Sequence, residues 1–412
     1  MRIGHIISDI RPGTVHLDMS KAIARRGHEV KVYAEDARSS SIVRPTLFTE
    51  EGIEIHAIND KRRNPWLLIF DKTFKRLLGR RFFTALYALY RFVRTTQCEV
   101  YLVEGDSLAM LVALVSIVQP IKWIACLHDH EHFGVLLGYP GEPRNRIRVR
   151  VKRWALDKAS GLRANSEVTK NLMVESGIRP ERIRVVPLHY VPRMTIAGDL
   201  NEYRNKARMF VRARWTVPAE CKILISMCRL TPFKGIDLAL RGFSVATEMG
   251  LDARFMICGG DRIVKGVGSY RNLLERLAKE LGIFDRVIFT GSIPFSKVKT
   301  YYAAADLHLV PSYIDTFNYS AVEAALTGTL SIVTPLTGSG RWLAEAGAAR
   351  ILMERNETEL ASTIVQCLND GSRSDESTHM CTSVMTALSV DRLAGELLAY
   401  AAQIAGSART EN

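Results

Sequence analysis

Asp315-Thr316-Phe317-Asn318-Tyr319-Ser320-Ala321-Val322-Glu323 places two acids between a strand pattern and a helix pattern. The apolar run Leu307-His308-Leu309-Val310-Pro311-Ser312 predicts the strand, and Ala324-Ala325-Leu326-Thr327-Gly328 predicts a helix ending at a glycine. An acid, a turn and a helix start at the carboxyl end of a strand form a ligand-binding position in an open α/β sheet. The first N–H groups, at Phe317, Asn318 and Tyr319, suit a phosphate or a sugar oxygen. The same spacing also fits a surface-turn acid followed by an exposed acid near a helix dipole.

A second segment favours the ligand reading. The strand-like Ile223-Leu224-Ile225-Ser226-Met227-Cys228 runs into Arg229-Leu230-Thr231-Pro232-Phe233-Lys234-Gly235. Ile236, Ala239, Leu240 and Phe243 then follow at helical spacing. Two cations on a strand-to-helix loop can clamp an anion, Arg229 as a planar fork and Lys234 as a point charge. The plainer alternative is a pair of solvated surface charges.

Together the two segments resemble the family 4 retaining glycosyltransferases. The resemblance extends through Met1 to Ile7, Ala24-Arg25-Arg26-Gly27-His28-Glu29-Val30, Ala164-Asn165-Ser166-Glu167, Ile183 to Pro187, Ile257-Cys258-Gly259-Gly260, Val287 to Gly291 and Tyr301 to Asp306. It implies the GT-B fold, an α/β architecture of two doubly wound, Rossmann-like parallel-sheet domains facing across a cleft. It also implies a UDP- or GDP-linked sugar donor, with Arg229 and Lys234 stabilising the leaving diphosphate in place of a metal ion. By the same resemblance Glu323 holds the ribose, Asp315 sits near the donor sugar, and backbone at Phe317, Asn318 and Tyr319 contacts sugar and phosphate. Gly13, after the first strand, would let backbone approach the reaction centre. Two departures bear on the donor sugar: Asp315-Thr316-Phe317-Asn318 stands where the family usually has Glu-Gly-Phe-Gly, and Gly13 is single where a glycine pair is common.

Length and composition agree with a two-domain enzyme. The chain has 412 residues, too many for one ordinary core, and its 47% hydrophobic and 24% charged residues exclude a disordered polymer. Strand patterns at 2–8, 29–34, 53–58, 99–104, 122–128, 161–165 and 183–187 alternate with helical ones. The alternation resumes at 222–228, 254–259, 287–290, 307–311, 330–334 and 350–353. Pro192, Gly198 and a charged run put the break within 190–218. The expected division is 1–195 for acceptor binding, 196–385 for donor binding, and 386–412 as a helix crossing back, with a tail. Gly371 to His379 reads as a polar loop. The apolar stretch Leu108 to Ile121 falls short of the ~20 residues that span a bilayer and predicts a buried helix. Seven scattered cysteines without a C-x-x-C pair, and no signal-peptide pattern after Met1, point to the cytoplasm.

His128-Asp129-His130-Glu131-His132 invites a metal reading, since its three histidines would share one face if extended. The resemblance offers another role, an active-site histidine at His128 facing the sugar, and the expectation is that no metal or other cofactor is needed. Glu104 and Asp106 are weaker candidates for acceptor contacts and could equally be caps. The formal net charge of +13 is uneven. Residues 61–95 carry ten cations against Asp71, with Trp66, Phe70, Phe74 and Leu77 at helical spacing. That pattern suits peripheral contact with an anionic membrane at its inner face, or a helix packed on its own domain with a solvated basic side. Arg144, Arg146, Arg148, Arg150, Lys152 and Arg153 add to the charge. No nucleic-acid module accompanies it, so nucleic acid is not expected. The sequence thus predicts a transferase moving a sugar to an acceptor hydroxyl, on a lipid-linked or cell-envelope glycan. A small natural-product or sugar-phosphate acceptor is the alternative. A catalytically silent membrane- or nucleic-acid-binding relative is the reading from another class.

Overall fold

The computed structural model describes residues 1–9, 15–36, 47–57, 66, 69–73, 82–128, 146–264, 268–370 and 374–407. The chain divides into two compact units, Met1–His189 with Val390–Asn412, and Tyr190–Ser389. The breaks thus fall at 189/190 and 389/390 rather than at 195/196 and 385/386.

The first unit is built on eight strands: β1 (Arg2–Asp9), β2 (Glu29–Asp36), β3 (Leu47–Glu50), β4 (Ile53–Ala57), β5 (Val100–Glu104), β6 (Trp123–Leu127), β7 (Gly161–Ala164) and β8 (Ile183–Val185). Their order is β3-β4-β2-β1-β5-β6-β7-β8, parallel throughout except where β3 pairs antiparallel with β4. The interior strands are apolar on both faces because helices cover both. Ile3, Ile7, Val32, Leu102 and Ile124 are fully buried, and they share one core with Leu393, Leu397 and Ile404 of the last helix, Val390–Gly406. Tyr400 ties that helix down: its hydroxyl accepts from Leu162 N at 3.0 Å and donates to the Arg182 carbonyl at 2.9 Å.

The second unit has a six-stranded parallel sheet of β9 (Lys222–Met227), β10 (Ala253–Cys258), β13 (Val287–Gly291), β14 (Leu307–Val310), β15 (Ser331–Val333) and β16 (Ala349–Ile351), in the order β13-β10-β9-β14-β15-β16. A small antiparallel pair, β11 (Ile263–Val264) with β12 (Gly268–Ser269), lies apart from it. Leu224, Phe243, Phe255, Leu274 and Leu307 form the core, all fully buried.

Helices occupy the charged run at the expected break and part of the expected polar loop. The charged run before β9 contains the helix Leu200–Trp215, started by Asp199, whose side chain accepts from Glu202 N at 2.7 Å. Only Arg204, Ala207 and Val211 of it are buried, so its apolar signal is thin. Arg204 belongs to the structure, donating to the carbonyls of Thr327 (2.8 Å) and Ala305 (3.0 Å). The expected polar loop, Gly371 to His379, runs into the helix Ser374–Ala387, which buries Met380 and Val384 behind a polar first turn. The buried helix expected at Leu108 to Ile121 spans Asp106–Val118. No helix among the described residues is long and apolar enough to cross a membrane.

Candidate functional site

In the second unit the chain leaves β9 first to one side of the sheet, towards β10, and later to the other, towards β14. The loops after β9 and β14 therefore flank the point where strand order reverses, the position where open α/β sheets bind ligands. They are the two loops singled out above. Arg229 is exposed and has no ion-pair partner among the described residues. Lys234 closes a short 3-10 turn, Pro232–Lys234, and its Nζ pairs with Asp315 Oδ2. That same oxygen accepts from Asn318 Nδ2 at 2.7 Å.

Gly235 makes the approach of the two loops possible. Its φ is +64°, and a Cβ there would stand 2.1 Å from the Pro311 carbonyl oxygen. Tyr313 N donates to the Phe233 carbonyl at 2.9 Å, and Arg355 reaches over the Tyr313 ring to donate to the Pro311 carbonyl at 3.2 Å. The acidic loop is braced on its far side by the segment after β15. Asp315 N donates to Leu336 O at 2.9 Å, Gly338 N to Asp315 O at 2.7 Å and Ser339 N to Phe317 O at 2.7 Å.

The Gly-to-Asn departure has a local explanation. Asn318 has φ +68°, the left-handed region that favours glycine and that asparagine tolerates best among larger residues. Its Oδ1 also accepts from Ala321 N at 2.9 Å, so it caps the helix Tyr319–Ala325. This corrects the expected helix start: Phe317 precedes the cap, and the Ala321 N–H is already taken. Glu323, on that helix, is half-buried, and burial, partly offset by Arg193, raises its carboxyl to about 7. Burial likewise pushes the Cys228 thiol up to about 12, so it is an inert neighbour of the clamp.

The first unit gathers a second group at the carboxyl ends of β5 and β6. Glu104 is buried, and its Oε2 bonds His128 Nε2 while standing 3.5 Å from His16 Nδ1. Its Oε1 is 3.0 Å from His5 Nε2 and 3.7 Å from the guanidinium of Arg163. Burial opposes ionisation of Glu104, but His16, His128 and His5 outweigh it and hold the carboxyl well below its usual range. Burial lowers His16 to about 4 despite the acid beside it, so that ring is neutral at pH 7. The Glu104 carboxylate is therefore engaged with histidine rings, and the helix Asp106–Val118 starts at Gly105 with no side-chain cap. His5, His16 and Arg163 escaped the sequence reading because they come from three distant segments, and the only available signal was an acid ending a buried strand.

Several other expectations lie outside the described residues: Gly13, Asp129 to His132, the side chain of Asp106, and residues 61–65, 67–68 and 74–81 of the basic segment. Of the basic segment, Trp66 is 70% exposed, and Ile69 and Phe70 are exposed too. Asp71 is buried and accepts from Phe83 N at 2.8 Å. In the second basic run Arg153 is structural, donating to the carbonyls of Ser176 (2.6 Å) and Gly177 (3.0 Å) beyond the end of the helix Glu167–Glu175.

Two α/β units with largely parallel sheets, one of them bringing a cation-bearing and an acid-bearing loop together at its switch point, make up the described chain. Known proteins give the family. "Glycosyl transferases group 1" matches residues 208–382, and "Glycosyl transferase 4-like domain" matches residues 12–189. The chain belongs to the family 4 glycosyltransferases, with the GT-B fold. It is 28% identical over 237 residues to a D-inositol 3-phosphate glycosyltransferase of Thermobispora bispora, an alignment covering 56% of this chain and 53% of that one. It is 30% identical over 176 residues to the mannosylfructose-phosphate synthase of Agrobacterium fabrum, covering 42% and 37%. The matched part thus spans about half, or less, of these curated relatives. Among solved structures, the sucrose-phosphate synthase of Thermosynechococcus elongatus superposes with a TM-score of 0.69 at 17% identity, over 99% of this chain and 100% of that one. HepE of Anabaena, solved in complex with UDP, gives 0.69 at 17% identity, over 98% and 100%.

Proposed function

We propose that this protein transfers a sugar, with retention of anomeric configuration, from a nucleoside diphosphate to a hydroxyl of a small phosphorylated polyol or sugar. The observation that carries the donor half is the convergence of exposed Arg229 and the Lys234–Asp315 pair at the sheet's switch point. Departure of a nucleoside diphosphate builds negative charge on its phosphate oxygens, and fixed cations aimed there lower the barrier. Without donor, Lys234 spends its charge on Asp315. Phosphate oxygens would draw the ammonium towards themselves and free the carboxylate to accept from sugar hydroxyls. Glu323 is the candidate for the ribose hydroxyls, two good donors for a half-buried carboxylate. His128, oriented by Glu104, is assigned to the sugar side of the reaction, and turnover needs no metal ion.

The acceptor class rests on the named relatives, a D-inositol 3-phosphate glycosyltransferase and a mannosylfructose-phosphate synthase, and on the +13 charge, which suits an anionic acceptor. The solved HepE complex with UDP makes UDP-linked sugars the first donors to try. A lipid-linked acceptor stays as a second reading because Trp66, Ile69 and Phe70 are exposed at the head of the basic segment. The test is donor hydrolysis and transfer by the purified protein. Arg229→Ala and Lys234→Ala should each lose roughly two or more decades of turnover, the scale for one transition-state charge contact. Activity should survive EDTA. Near-normal turnover in both variants would overturn the assignment.

A further inference from the structure

Three side chains with metal-binding chemistry converge in the first unit from separate segments. Glu104 ends β5, His128 follows β6, and His16 is the second residue of the helix Val15–Arg25. One donor atom from each lies within 4.8 Å of the others. The His16 and His128 rings are tilted by 34° with centroids 5.2 Å apart, and the carboxylate oxygen they share points at both. We infer that His16, Glu104 and His128 form a binding site for one divalent transition-metal ion of the zinc type.

The donor set fixes the class of ion. Two imidazoles and one carboxylate suit Zn²⁺, Co²⁺, Ni²⁺ or Cu²⁺, whereas Mg²⁺ and Ca²⁺ seek oxygen ligands. Three protein ligands leave further coordination positions for water or a substrate oxygen. A supporting layer is in place. The second oxygen of Glu104 is held by His5, whose other ring nitrogen is 2.6 Å from Ser20 Oγ, so the carboxylate is oriented from behind. The acid is buried while the side chains of His16 and His128 are 24% and 19% exposed, so an ion can enter from the histidine side without opening the core. Arg163, 3.7 Å from the far carboxylate oxygen, opposes a dication. Micromolar binding is therefore expected rather than the far tighter binding of structural zinc. Occupancy takes the His128 nitrogen, so the ion inhibits the enzyme rather than serving it. That consequence rests on the transferase reading, whereas ion binding does not.

The test is uptake of Co²⁺ and Zn²⁺ by the full chain at pH 7.5, followed by calorimetry and by the visible ligand-field spectrum of Co²⁺. One saturable ion per chain is expected, with Zn²⁺ displacing Co²⁺ and a large excess of Mg²⁺ displacing neither. His16→Ala and Glu104→Gln should each weaken uptake roughly tenfold or more. His16→Asn, which keeps a polar group at the helix start, guards against a folding defect and should behave as His16→Ala. No saturable uptake at ~100 μM ion, or uptake untouched by both His16 variants, would overturn the site. Nucleotide binding to Zn²⁺-free protein reads the transferase proposal separately. If that fails while Co²⁺ uptake survives, only the inhibitory consequence falls.

Discussion

Glu323→Gln should make the unliganded second unit more stable, by an amount that grows with pH. Burial raises this carboxyl from 4.5 to about 7, against the favourable but smaller pull of Arg193. Between those two values the folded chain holds a proton that the unfolded chain has given up, so stability falls as pH rises through the window. A shift of about 2.5 units at ~1.36 kcal/mol per unit is about 3 kcal/mol, almost all of it developed by pH 7.5. At pH 5 the same arithmetic leaves about 1 kcal/mol. Glutamine keeps the shape and cannot ionise, so the gap between variant and wild type should widen by about 2 kcal/mol from pH 5 to pH 7.5. Urea unfolding followed by tryptophan fluorescence can read this, because Trp215 and Trp342 report on the second unit. Trp66, Trp123 and Trp154 lie in the first unit, and their replacement by phenylalanine would isolate the signal. A nucleoside diphosphate should reverse the ranking, since ribose hydroxyls would donate to the charged form that the variant lacks. A stability gap independent of pH, or equal nucleotide affinity in both proteins, would refute the reasoning.

The acidic loop yields the next prediction. Asp315→Ala should cut turnover strongly, and Asp315→Glu, although it restores the family's usual acid, should also lose activity because Asn318 fixes the oxygen position for the shorter side chain. Asn318→Ala should cost about 1 kcal/mol through the lost cap, plus the strain of φ +68°, and Asn318→Gly should recover the strain but not the Asp315 contact. Kinetics on the four variants with one confirmed donor decides this, and unchanged turnover in Asp315→Ala would reduce the acid to a surface cap. On anionic vesicles, binding by residues 61–95 should fall steeply with salt and with the Trp66→Ser/Phe70→Ser double substitution. Salt-independent binding, or none, would leave the small soluble acceptor alone.

What could be read in the sequence follows from which signals are local. All thirteen expected strands are present, because buried parallel strands are short apolar runs that identify themselves. Three strands were missed: β3, an edge strand paired antiparallel, and the two-residue β11 and β12, which are too short for any period to show. The helix Leu200–Trp215 and the start of the helix Ser374–Ala387 give no clear helical pattern, the first falling in the charged run at the expected break and the second in the expected polar loop, because each buries only a narrow stripe. The two loops at the switch point of the second unit are single contiguous segments, so Arg229, Lys234, Asp315, Asn318 and Glu323 each stand out from one stretch of sequence as candidates. Spacing could not reveal how they are engaged. That Lys234 rests on Asp315 depends on Gly235 allowing its loop to reach Pro311, a contact between residues 76 positions apart. The histidine group shows the same limit more sharply. His128 drew attention through its neighbours in sequence, whereas its partners, His16 and Glu104, are brought to it by the order β1-β5-β6 in the sheet. The cluster of five residues that looked like a metal motif contributes one described ligand, and topology supplies the other two. A parallel sheet assembles chemistry at the ends of neighbouring strands, so composition within one loop is a poor guide to the donor set formed there.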